Sequence, residues 1–156
     1  MLVLTADEKR EIEAIRGHYS LPRAAAPEAL KIIQRGRGWV PDEELREAAG
    51  LLEMSPDELD SVATFYNLIF RRRVGRHVIV LCDSVCCWIV GYEKVREHLS
   101  ARLGIGLGET TPDGRFTLLP VACLGACDRA PAMMVDEDLH GGLEPSKVEA
   151  ILAQYQ

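Results

Sequence analysis

The chain has 156 residues, enough to bury a core of its own, so a bound metal is not needed merely to hold a small fold together. Its 24 acidic and 18 basic residues give a formal net charge of -6, which argues against a general nucleic-acid binder relying on Lys and Arg to neutralise phosphates. The start MLVLTADEKR has no basic flank, sustained apolar run or small-residue cleavage site, and no stretch approaches a membrane span, so the cytoplasm is the expected address.

The first seventy residues read as successive short helices. Thr5 with Glu8 three positions on forms a capping box, and Ile12 and Ile15 give the helix that follows an apolar side. A second helix runs from about Pro27 through Leu30, Ile32 and Ile33, with Gly36 as its expected stop. Pro41 opens a third, ending near Gly50. Ser55 opens a fourth, with Pro56 at its first position and Asp57 and Glu58 in its first turn. The last two helices could pass for a helix-turn-helix, but Asp57, Glu58 and Asp60 would repel phosphates, so packing is the better reading.

From Arg76 the periodicity changes. His77 to Leu81 is a continuous apolar and β-branched run, followed by Cys82 and then a helix-like stretch from about Trp88 to Leu103. Residues 104–114 read as loop and turn, Arg115 to Val121 as a second strand, Ala132 to Val135 as a third, and Pro145 to Tyr155 as a closing amphipathic helix. The expected organisation is a helical domain over 1–70 and an α/β domain over 71–156.

The cysteines carry the chemistry. Cys82 and Cys87, spaced C-x4-C, and Cys123 and Cys127, spaced C-x3-C, each follow a strand, at the sheet edge where ligands gather in α/β folds. Five cysteines, an odd number, with no export signal argue for metal rather than disulfides. Four thiolates complete a [2Fe-2S] centre, and backbone amides near Gly125 and at the start of the helix after Cys87 can donate to the sulfurs. Zinc also tolerates such spacings, so a zinc-stabilised interaction protein stays open beside the iron-sulfur reading. Cys87 is taken as the second ligand. Cys86 is then expected to be a buried small hydrophobe, with C-x3-C through Cys86 as the fallback.

The segments CDSVCCW from Cys82 to Trp88 and LPVACLGACD from Leu119 to Asp128, with Pro131, Ala132, Met133 and Met134 after them, resemble the small [2Fe-2S] subunit of respiratory NADH:quinone oxidoreductase, complex I. VATFY at 62–66 and VGRHV at 74–78 extend the resemblance over nearly the whole chain. It implies a thioredoxin-like [2Fe-2S] domain preceded by an N-terminal helical bundle, with Cys82, Cys87, Cys123 and Cys127 as ligands of one cluster. Cys86 departs from the pattern, in which a non-cysteine is common there. The resemblance also implies docking on the subunit that binds NADH and FMN, beside an adjacent iron-sulfur subunit, with one-electron exchange between flavin and cluster. Such a complex sits on the cytoplasmic side of the bacterial inner membrane, which this chain would reach only through its partners. An equivalent subunit of an NAD-linked hydrogenase or formate dehydrogenase is the nearest alternative. A homodimer through the N-terminal helices is open to the isolated chain.

Other features read more plainly. Arg71, Arg72, Arg73 and Arg76 form a basic patch, either a solvated edge or a subunit-facing surface. The glycine-spaced segment at 104–108 lacks the strand-to-helix setting of a nucleotide loop. His18, His77, His98 and His140 lack ligand spacing and are expected to be surface or structural. Trp88 is either a shield over the centre or a core aromatic. No nucleophile, base and orienting acid form a set, so the chain alone is not expected to oxidise NADH. An all-ferric core with four thiolates is doubly negative and becomes triply negative on reduction; in an acidic chain, with Asp83 and Asp128 beside ligands, a low potential is expected.

Overall fold

The structure, a computed structural model, describes residues 4–155. The chain divides into two compact units, Met1–Arg73 and Val74–Gln156.

The first unit is helical. Its α1, Ala6–Arg16, starts at the expected capping box: the Thr5 side chain accepts from the Glu8 N–H at 3.2 Å, and Glu8 Oε2 accepts from the Thr5 N–H at 2.8 Å. Helix α2, Ala26–Arg37, runs past Gly36 and stops at Gly38, whose φ of 77° suits a residue without a side chain. The expected stop was therefore misplaced. Gly36 lies within the helix, where a Cβ would meet only the Glu8 carboxylate, at 3.4 Å. The next turn brings Arg37 to Glu8 and Glu44, its Nε donating to Glu44 Oε1 at 3.0 Å and its Nη2 to Glu8 Oε2 at 3.0 Å.

Helix α3, Asp42–Leu51, follows Pro41, and α4, Pro56–Phe65, opens on a second capping box of Ser55 and Glu58. Ile12, Leu30, Ile33, Leu52 and Leu59 are fully buried in the core, each contributing about 1.5–3 kcal/mol on leaving water. Arg71 is a tie rather than part of a free basic patch. It donates to Asp60 and Asp42 at 2.6 Å each and to the Val40 carbonyl.

The second unit holds a five-stranded sheet whose strands in chain order are β1, His77–Cys82, β2, Glu109–Thr110, β3, Phe116–Val121, β4, Ala132–Val135, and β5, Asp138–Gly141; across the sheet they run β2-β3-β1-β4-β5. Central β1, His77–Cys82, is buried from Val78 onward, as its unbroken apolar run requires of a strand covered on both faces. It pairs in parallel with β3, Phe116–Val121, and antiparallel with β4, Ala132–Val135. Pro120, which has no N–H, lies in β3 beyond the part paired to the two-residue β2, Glu109–Thr110. The connection from β1 is two helices, α5, Val85–Ile89, and α6, Tyr92–Leu103. The single helix expected from Trp88 is broken at Gly91, whose φ of 116° turns the chain.

Two strands escaped the sequence. Within the expected loop, β2 is held by β3, and its Thr110 Oγ1 meets Thr117 Oγ1 at 2.7 Å. Strand β5, Asp138–Gly141, is polar and edge-lying, paired with β4 through a turn at Asp136, φ 53°. Helix α7, Pro145–Leu152, closes the unit against α6, where Glu149 accepts from Arg102 at 2.8 Å.

Candidate metal centre

The parallel register of β1 and β3 builds the site. It sets Cys82 level with Val121, and the Asp83 N–H donates to the Val121 carbonyl at 3.0 Å. Both strands thus end together, and Cys123 follows two residues later. The first cysteine is the last residue of its strand rather than just beyond it.

Helix α5 turns back from β1 and carries Cys87 inward. Cys82 and Cys87 are 2% and 1% exposed, whereas Cys86, Cys123 and Cys127 are exposed. Cys82 lies close enough to Cys87 and to Cys123 to shift their pKa values, and Cys127, which opens a 3-10 turn, Cys127–Arg129, lies close enough to shift that of Cys123. All four expected ligands therefore share one sheet edge. Among the described residues, no three or more His, Cys, Asp or Glu side chains are placed around a single metal ion.

Backbone amides reach two of the sulfurs. The Gly125 N–H donates to Cys123 Sγ at 3.3 Å and is the main cause that lowers the Cys123 thiol below its ordinary pKa. The Ala132 N–H, at the head of β4, donates to Cys87, but burial outweighs it and pushes that thiol up to about 11. Cys127 is pushed up to about 11 chiefly by its hydrogen bond to Cys86 and the charge there. A bound metal ion would reverse these two, since coordination deprotonates a thiol. Four thiols with peptide N–H donors fit an iron-sulfur centre of two irons, which takes four thiolates.

The family model for thioredoxin-like [2Fe-2S] ferredoxins matches residues 12–156. The chain belongs to that family. Within this ferredoxin family, the chain is 52% identical over 153 residues to a subunit of the NADH-quinone oxidoreductase of Pseudomonas aeruginosa, spanning 98% of this chain and 92% of that protein. The corresponding protein of Escherichia coli K12 is 50% identical over the same shares. A solved NAD+-reducing [NiFe]-hydrogenase, air-oxidised, superposes with a TM-score of 0.71 at 26% identity, over 85% of this chain but only 23% of that one. The thioredoxin-like [2Fe-2S] fold after N-terminal helices is thus the one the resemblance implied.

Two readings of this ferredoxin's site need correction. Cys86 is not a buried hydrophobe but an exposed thiol, because Cys87 takes the inward position on α5 and its neighbour must face elsewhere. Trp88 is 58% exposed and is no core aromatic, and Val85, Ile89 and Val90 beside it are exposed too. The sequence also missed the Ala132 amide and Ser84, whose side chain bonds to Cys123, since neither lies at a ligand-like spacing. The histidines are structural or surface groups: His77 meets Asp136 at 2.7 Å, His140 meets Tyr155 at 3.0 Å, His98 lies 3.2 Å from Glu149, and His18 is exposed.

Proposed function

We propose that this chain is the electron-carrier subunit of an NADH:quinone oxidoreductase, holding one [2Fe-2S] cluster on Cys82, Cys87, Cys123 and Cys127. The observation that carries the reading is the β1/β3 register, which brings both cysteine pairs to one sheet edge. The unit that starts at Val74, three residues later than the expected boundary, is the cluster domain, and the helical unit that ends at Arg73 precedes it.

When bound, the cluster supplies the uptake and release of a single electron. The chain's own residues set the terms. Buried Cys82 and Cys87 keep water from one side of the centre, while Cys123 and Cys127 leave the other side open to a partner. The Gly125 and Ala132 amides stabilise negative sulfur. The net charge of -6, with Asp83 and Asp128 beside ligands, opposes an added electron and favours a low potential. The partner is the subunit that binds NADH and FMN, next to a further iron-sulfur subunit, on the cytoplasmic side of the inner membrane. Among the described residues no helix is long and apolar enough to cross a membrane. The hydrogenase reading is weaker, because its match covers a small part of a much longer chain.

Anaerobic purification with iron, sulfide and zinc counts tests the centre. About two irons and two sulfides per chain, with a one-electron paramagnetic signal after dithionite, are expected. A colourless, zinc-filled protein would sink the reading.

A further inference from the structure

A cavity of about 820 Å³ opens in the second unit at the end of the sheet away from the cysteines. Phe116, the first residue of β3, lines it, whereas Cys82 is level with Val121, the last; five steps of strand at about 3.3 Å each put roughly 17 Å between the two ends. The cavity is therefore no part of the metal centre. Its walls come from three elements: α6 supplies Arg102 and Leu103, the turn between β2 and β3 supplies Asp113 and Arg115, and α7 supplies Glu149 and Leu152.

Both guanidiniums are held in place by the fold. Arg115 donates through Nε to the Tyr155 carbonyl at 2.9 Å and through Nη2 to the same oxygen, and its guanidinium lies 4.8 Å from the centre of the Phe116 ring. Arg102 Nε donates to Glu149 Oε2 at 2.8 Å. The two carboxylates, by contrast, are engaged within the fold. Asp113 Oδ1 accepts from the Thr111 hydroxyl at 2.5 Å and from the Arg115 N–H at 3.0 Å, and the second oxygen of Glu149 lies 3.2 Å from His98 Nε2. Among the described residues, both Nη groups of Arg102 and Nη1 of Arg115 have no hydrogen-bond partner. The cavity thus carries a surplus of charged donors, which call for an acceptor-rich, negatively charged group.

We propose that this cavity binds a small organic anion, its carboxylate or phosphate head held by Arg102 and Arg115 and its apolar body set against Leu103, Phe116 and Leu152. The volume lies in the range of small-molecule sites, about 300–1,000 Å³. Arg115, fixed by a carbonyl and a ring, needs little further ordering to bind, so less of the interaction is lost to side-chain entropy. The apolar wall favours an organic anion over chloride, which would leave that wall wet. A ligand here touches α6, α7 and the β2–β3 turn at once and so stabilises the unit; at roughly ten times its Kd it raises the ratio of folded to unfolded chain about elevenfold. The inference does not depend on which cysteines hold the metal.

The test titrates the full chain by calorimetry, at constant ionic strength, with phenyl phosphate, with phenylacetate and with the neutral benzyl alcohol. Saturable binding of at least one anion, about tenfold or more tighter than benzyl alcohol, is expected, and the tighter of the two anions tells whether the site prefers a phosphate or a carboxylate head. Arg102→Gln should weaken that binding about tenfold. A second measurement needs no variant: phenylglyoxal modification of wild-type Arg102 and Arg115, followed by peptide mass spectrometry, should slow severalfold when the anion is saturating. Absence of saturable binding by either anion, benzyl alcohol bound as tightly, a folded Arg102→Gln that binds like wild type, or arginine modification unslowed by the anion would each overturn the inference.

Discussion

Gly141→Ala tests whether the second cysteine pair is braced from the far side of the sheet. A Cβ at Gly141 would lie 2.5 Å from Arg129 Cβ and 2.7 Å from the Arg129 carbonyl oxygen. Arg129 ends the 3-10 turn that begins at Cys127, and its carbonyl accepts from the Gly142 N–H at 2.6 Å. Ordinary contact is 3.4–4 Å, so the backbone at Arg129 must retreat by about 1 Å. Overpacking of this kind costs about 1–3 kcal/mol, and the strained or lost hydrogen bond adds about 1 kcal/mol. A loss of about 2–4 kcal/mol lowers the melting temperature of a unit of this size by roughly 10–30 °C. Calorimetry of the cluster-free chain reads that loss, and iron release to a chelator from the loaded chain should be severalfold faster. Wild-type melting and wild-type release together would refute the reasoning, because Arg129 would then yield without cost and without moving Cys127.

Substitutions at three further positions probe the helical unit. The Arg37 hydrogen bond holds the Glu8 carboxyl below its ordinary value of 4.5, so its contribution is present above 4.5 and is lost as pH falls through the lower folded value. Glu8→Gln should therefore be less stable than wild type by about 1–2 kcal/mol at neutral pH, with the gap closing in acid; urea titrations from pH 7 to 3 that show a constant gap would count against the ion pair. Arg71→Ala removes the bonds to Asp42, Asp60 and the Val40 carbonyl and should cost about 2 kcal/mol by urea unfolding, and Arg71→Lys should not restore it, because a single ammonium lacks the guanidinium fork. Gly50→Ala in α3 meets nothing within 4 Å and should raise stability by about 0.5–1 kcal/mol in the same assay; a decrease would show that the added methyl meets a neighbour after all.

Local chemistry was legible where it acts alone. The capping boxes at Thr5 and Ser55 start α1 and α4 where the sequence places them, because a side chain three residues away satisfies the free amides whatever lies beyond. The apolar run of β1 was equally plain, since a strand buried on both faces tolerates little else. Strand β5 was not, because DLHG has no alternation and is a strand only through its backbone pairing with β4. The short β2 depends in the same way on β3.

The cysteine spacing likewise determined the kind of centre the chain could hold, as four thiolates in two close pairs restrict the metal chemistry before any fold is known. Only the tertiary structure decided how the pairs meet and which thiol is spare. Cys82 and Cys123 are far apart in the chain and become neighbours through the β1/β3 register, a long-range pairing that no local signal encodes. Cys86 and Cys87 are adjacent in sequence and chemically identical; the rotation of α5 against β1 buries one and exposes the other.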